Sequence, residues 1–365
     1  MFLAFSIVIK ENGVSFIEVS QMLKALNQRK EVIAAKGRKK SSGPFYCPGC
    51  QKEVILRQGP KRQPHFAHQT STDCQTYSER ETKEHLEAKQ LLFEWFQDTG
   101  IEIEAFLPKL QQCPDLCYKN IAIEVQCSSL KFSRFLERTT TYLANGYQPW
   151  WILGTKLYPK RQWSFLVKAC CTYQSTGFCL WLIDTRNQAL VRLHQIKWHY
   201  QEGVSSRRIA TQKGEPYRKE TLRPLCETEG SKTHNFSEWV ATDYRLWVIR
   251  KLRNKLPKIR EIQEIVYPLN GNVSQLPLWC YCESRFGILF EHRILIFRFL
   301  YLSDCPISFE QWLIRLRQLH WQWHFPLLDQ REILREIFQE CQYLENSFLF
   351  QANDLVSLKS VIRYF

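Results

Sequence analysis

Six residues constrain this chain more than any others. The run Ile121 to Gln126, IAIEVQ, is apolar except for Glu124 in its middle and Gln126 at its end. A short apolar run of this kind reads as a sheet strand covered on both faces. A carboxylate there is costly unless it is paired, hydrogen-bonded or bound to a cation. Pro114-Asp115 lies one short turn upstream, with Lys119-Asn120 as the expected hairpin tip. Such a hairpin brings Asp115 and Glu124 within a few ångströms. Close carboxylates repel unless a divalent cation neutralises them, and hard oxygen donors suit Mg²⁺ or Mn²⁺. The alternative is a structural Glu124 held by strand-edge amides.

The flanking pattern places this hairpin. SERETKEHLEAKQLLFEWFQDTG, from Ser78, has a Ser cap, acids in its first turn, helix formers throughout and a stop at Gly100. Ile101 to Leu110 alternates like a half-buried strand. Asp115 to Tyr118 and Ile121 to Gln126 are the hairpin strands. A helix is expected over Lys131 to Asn145, ended by Gly146, then an apolar strand over Pro149 to Gly154. The order is helix, three strands, helix, strand. Glu81, His85 and Lys89 recur every four residues, so they share one helix face. In isolation that is a solvated stripe; beside the strand acids it becomes an active-site face.

A second cluster lies upstream. YCPGCQKEVILRQGPKRQPHFAHQTSTDC contains Cys47 and Cys50, then His65 and His68, then Cys74. Pro-Gly between the first two cysteines allows a knuckle that aims both thiolates at one ion. A hairpin turning at Gly59-Pro60 returns the chain to the histidines, the layout of a zinc ribbon. Structural Zn²⁺ takes four ligands, here four of the five candidates; a redox CxxC is the alternative, but no βαβ unit surrounds it. The chain's 14 cysteines, with no signal-peptide pattern and no apolar run of bilayer length, fit a reducing cytoplasm.

Lys plus Arg number 50 against 36 Asp plus Glu, a formal charge of +14. That excess favours a polyanion partner such as DNA. KGRKK, with Lys36, Arg38, Lys39 and Lys40, sits in a turn-rich loop and is the candidate backbone grip. Before it, Phe2 to Ile9 and Val14 to Val19 read as strands around an Asn12-Gly13 turn, and Ser20 to Leu26 as a helix. Beyond residue 166 come strand pieces such as Phe178 to Asp184, then a polar loop over Glu202 to Pro224. Helices follow, around Glu238 to Leu256, Ser308 to Leu319 and from Asp329 onward.

YCPGC, HFAH, KEHLEAK, CPD, IAIEVQCS and ERTTTYLANGYQPWWILG, in this order, resemble the competence protein CoiA family, whose members act in DNA uptake and recombination during natural transformation. Pro114-Asp115 with Glu124-Val125-Gln126 is similar to the PD-(D/E)xK nuclease core. The resemblance implies an α+β / α/β multidomain chain. Residues 1–76 would form a β-rich zinc-ribbon-like module, 77–165 a restriction-endonuclease-like αβββαβ core, and 166–365 a mixed, then mainly helical, region. It implies a Mg²⁺-dependent deoxyribonuclease in which Asp115, Glu124 and the Val125 carbonyl hold the metal. Gln126 stands where that fold usually has Lys; Lys89 would replace it in space, and His85 would shuttle protons. Arg138 and Tyr142 resemble a Q-x3-Y helix with Arg in place of Gln, suited to phosphate. The second reading is a non-catalytic scaffold that grips single- or double-stranded DNA and recruits a recombinase or uptake protein.

Overall fold

The computed structural model describes residues 21–59, 62–69, 74, 82–96, 99–174, 177–212, 238–303, 307–319 and 321–362. The expected strands before residue 20, the Asn12-Gly13 turn and Glu81 lie outside these residues.

Six short strands build the N-terminal sheet: β1 (Gln21–Met22), β2 (Lys24–Leu26), β3 (Val32–Ala34), β4 (Phe45–Tyr46), β5 (Glu53–Gly59) and β6 (Arg62–His68). Their order is β1-β6-β5-β4-β2-β3, and every pair is antiparallel. The β5–β6 hairpin is the one expected from Gly59-Pro60. Met22, Ala25, Phe45, Leu56 and Phe66 pack beneath it with Cys47, Cys74 and Cys113. The helix expected from Ser20 to Leu26 is corrected to β1 and β2. Its helix-forming residues pair instead with β6 and β3, because burying Met22 and Ala25 in this core outweighs local propensity.

The central unit runs α1 (Lys83–Phe96), β7 (Glu102–Ile103), β8 (Leu116–Tyr118), β9 (Ile121–Gln126), α2 (Phe132–Ala144) and β10 (Gln148–Leu153), the order expected. The strand expected over Ile101 to Leu110 is cut to two residues because Glu104 takes a φ of 46°, which ends the extended run. β8 and β9 form the hairpin around Lys119, whose φ is 52°. β9 and β10 are parallel neighbours. Gly154 closes this pair: a Cβ there would lie 2.5 Å from Cys127 Sγ.

The sheet continues past residue 165. α3 (Phe165–Ala169) leads to β11 (Thr172–Gln174), β12 (Gly177–Asp184), β13 (Ala189–His199) and β14 (Gly203–Gln212). Eight strands result among the described residues, in the order β14-β13-β12-β10-β9-β8-β7 with β11 on β12. The loop expected from Glu202 is therefore corrected over Gly203–Gln212. β14 is mostly exposed, so its side chains carry no buried alternation although its backbone pairs with β13.

All six residues of β9 are buried, because both faces of the sheet are covered. Ile123 and Val125 pack with α1 residues Leu91, Leu92 and Phe96. Trp151, Leu153 and Leu182 share a larger core with Phe135 of α2 and the C-terminal helices. These are α4 (Glu238–Arg253), α5 (Pro257–Val266), α6 (Gly287–Phe290), α7 (Ile294–Leu302), α8 (Phe309–Gln318) and α9 (Gln330–Ile362). α7 is central; its buried Arg298 binds Glu340 of α9 at 2.8 Å and the carbonyls of Cys280 and Cys282. No helix among the described residues is long and apolar enough to cross a membrane.

Candidate functional site

The β8–β9 ladder runs from Tyr118–Ile121 to Leu116–Ile123, so Asp115 is the residue just before it on one strand and Glu124 the residue just past it on the other. Both acids are buried, at 8% and 2% exposure. Asp115 Oδ2 accepts the Val125 N–H at 2.8 Å, which locks the turn to β9.

α1 brings an imidazole and an ammonium to Asp115. His85 Nε2 lies 3.0 Å from Oδ2, and Lys89 Nζ lies 3.7 Å from Oδ1. The four-residue spacing expected to make a shared face therefore does so for His85 and Lys89. Burial pushes the Asp115 carboxyl up, but His85, Lys89 and Arg138 outweigh it and hold the group well below the usual carboxylate range. Asp115 is ionised at neutral pH.

α2 brings different partners to Glu124. Arg138 Nη2 donates to Oε1 at 2.5 Å, and the Tyr142 hydroxyl donates to the same oxygen at 2.6 Å. Arg138 also reaches the Cys113 carbonyl at 3.3 Å. Tyr142 is fully buried, and burial together with the nearby Glu124 charge pushes its phenol above the usual range. The side chains expected to meet phosphate are thus turned inward onto Glu124. Gln126 donates to the Ser128 carbonyl at 3.0 Å. Lys36, Arg38, Lys39 and Lys40 are all exposed around a single 3-10 turn at Lys40–Ser42.

One site residue escaped the sequence reading. Glu104 is buried and takes Lys89 Nζ at 2.6 Å, closer than Asp115 does. In the alternating run IEIEAFL it sits on the polar face with Glu102, which is exposed. The positive φ at Glu104 breaks that alternation and turns the carboxylate inward. Nothing local signals this.

The soft cluster is resolved to Cys47, Cys50, His68 and Cys74, whose ligand atoms all lie within 4.8 Å of one another. His65 is not part of it. Along a strand side chains alternate, so His65 and His68, three apart on β6, point to opposite faces. Cys47 Sγ and Cys74 Sγ are 3.8 Å apart, and Cys50 Sγ is 3.2 Å from His68 Nε2. Two sulfurs bound tetrahedrally at Zn–S distances lie about 3.8 Å apart. The hydrogen bond to Cys74 and burial push the Cys47 thiol far up, while burial lowers the His68 imidazole and favours its neutral, metal-binding form. This donor set can hold a metal such as zinc. No disulfide joins these cysteines.

A helix–strand–strand–strand–helix–strand unit with two buried acids at the end of its hairpin, set against a small sheet whose Cys3His cluster can hold a metal, defines a nuclease-like protein. The family model "Competence protein CoiA, nuclease-like domain" matches residues 81–229, and "Competence protein CoiA, N-terminal domain" matches residues 26–77. Together they cover more than half of the chain, which belongs to the competence protein CoiA family. Competence protein CoiA of Bacillus subtilis (strain 168) is 32% identical over 116 residues, 30% of this chain and 31% of that protein. The chain thus aligns with under a third of that curated relative's length. No solved structure matches the chain.

Proposed function

We propose that this chain is a metal-dependent nuclease that cleaves DNA phosphodiesters during natural transformation and recombination. The observation that carries this reading is two buried acids, Asp115 and Glu124, at the open end of one hairpin, with the buried Lys89 3.7 Å from Asp115. Carboxylate oxygens are hard donors, and Asp115 is held ionised, so the pair fits Mg²⁺ or Mn²⁺. The cation would supply Lewis acidity at the phosphate and acidify an attacking water. Lys89 supplies the positive charge that Gln126 cannot. His85, at 3.0 Å from Asp115, is placed to pass a proton to or from that carboxylate. Arg138 and Tyr142 keep Glu124 oriented within the buried strand.

The Arg138 contact also favours a second reading. A guanidinium on Glu124 already balances that charge, and a fold with Gln126 in place of Lys can serve as a DNA-gripping scaffold that recruits a recombinase or uptake protein. Labelled single- and double-stranded DNA, incubated with the protein and Mg²⁺ or Mn²⁺, separates the two. The nuclease reading expects cleavage that Glu124→Gln lowers at least about a hundredfold. Equal residual activity in wild type and Glu124→Gln, with DNA affinity retained, leaves the scaffold.

A further inference from the structure

Glu104 connects two parts of the molecule through its two oxygens. Oε1 accepts from Lys89 Nζ at 2.6 Å, while Oε2 accepts the backbone N–H groups of Leu23 at 2.7 Å and Lys24 at 3.0 Å. Its own N–H donates to the Asp115 carbonyl at 2.9 Å. Lys89 is fully buried, so its ammonium takes its position from these carboxylates rather than from water.

Leu23 and Lys24 stand at the junction of β1 and β2. β1 pairs with β6, the strand that carries His68. β2 pairs at Leu26 with Tyr46, the residue before Cys47. Met22 and Ala25, on either side of the junction, are fully buried in the core that holds Cys47, Cys74 and Cys113. Cys113 lies two residues before Asp115. Buried groups therefore run without a break from the Cys3His cluster to the acid pair. A contiguous path of packed and hydrogen-bonded groups is what coupling between two sites needs, and its strength is a matter for measurement.

We infer that Glu104 is a positioning residue that fixes Lys89 beside Asp115 and suspends it from the first strands of the Cys3His sheet, so that metal loading of that cluster sets the order of the acidic site. The inference rests on the reading of the acid pair as the catalytic centre. A surface ion pair would contribute little, but a buried Glu104 whose carboxylate and backbone N–H together hold four polar partners on three chain segments is specific in geometry.

The test uses the full chain in four states: zinc-loaded wild type, wild type stripped by a chelator, Glu104→Gln, and Glu104→Asp as the conservative variant. Each is treated with an amine-acylating reagent, and modification of Lys89 is read by peptide mass spectrometry. Cleavage kinetics and zinc content are measured in parallel. Lys89 should be protected in loaded wild type and modified at least about tenfold faster in Glu104→Gln and in the stripped protein, the scale of losing an outer partner of a site. Glu104→Gln should keep its zinc and lower kcat by about tenfold or more with little change in KM, and Glu104→Asp should recover part of both losses. Protection that persists in Glu104→Gln or after stripping overturns the inference. If Glu104→Gln does not fold, the stripped wild type decides by itself. A wild type that cuts no DNA overturns the nuclease reading, whereas the Lys89 labelling still judges Glu104.

Discussion

The two clusters of this chain handle charge in opposite ways. Cys47, Cys50, His68 and Cys74 bring three thiols and an imidazole together, and burial with the Cys74 contact drives the Cys47 thiol away from its charged form. Only a metal makes such a group of thiolates stable. At the acidic site each carboxylate already has a cation: Lys89 on Asp115 and on Glu104, Arg138 on Glu124, with His85 beside Asp115. A divalent ion there adds to a network that is balanced without it. The first cluster can keep a metal such as zinc as part of the fold, whereas on the proposed reading the second would exchange one during a reaction. The contrast follows from ligand chemistry: soft thiolates hold zinc tightly, whereas Mg²⁺ keeps waters and few protein ligands.

The largest effect should come from the soft cluster. Cys47→Ser is expected to empty it of metal and to lower the thermal midpoint by about 10 °C, since the metal's binding energy is folding energy; elemental analysis and a melting curve check this. An unchanged midpoint would remove the contrast. Next, Asp115→Asn and Glu124→Gln should leave zinc content and fold intact while cleavage falls at least about a hundredfold. Arg138→Gln sharpens the comparison further. Loss of a buried partner leaves Glu124 uncompensated and should cost about 3–5 kcal/mol in denaturant unfolding. Millimolar Mn²⁺ should restore part of that stability if Glu124 faces a metal position, and none if it does not.

A smaller effect concerns pH. The Asp115 carboxyl titrates lower in the folded protein than in the unfolded chain. Its contribution to stability is complete above the unfolded carboxyl value of about 3.9 and declines as the pH falls below that. Asp115→Asn should therefore lower stability most at neutral pH and least in acid, flattening the acid limb of the stability curve, as read by melting across a pH series. The smallest effect is expected from the exposed loop. Replacing Lys36, Arg38, Lys39 and Lys40 by Gln should reduce the salt slope of DNA binding by up to about four, with zinc content and the acidic site unchanged.

Much of the acidic site was legible because its signals are local. The apolar run around Glu124, the Lys119-Asn120 tip and the four-residue spacing of His85 and Lys89 each depend on a handful of neighbouring residues. The β5–β6 hairpin was legible for the same reason. The sequence left open which of five candidates form the soft cluster. The strand period then excludes one of the two histidines on β6, and the packing of His68 against the cysteines makes the excluded one His65. β14 and the strands β1 and β2 were misread for opposite reasons. β14 buries too little to show a pattern, and Gln21 to Leu26 has the composition of a helix but pairs as strands.

Residue spacing alone determined the element order from α1 to β10, the β8–β9 hairpin, and the Cys-x2-Cys knuckle. These depend on backbone periods and tight turns, which act over a few residues. Tertiary structure decided the rest: Arg138 and Tyr142 turned onto Glu124, His65 set apart from the cluster, and Glu104 swung under Lys89. The Glu104 bonds to Leu23 and Lys24 span about 80 residues of chain. No periodicity reaches that far, and only the docking of one sheet against the other brings those groups into contact.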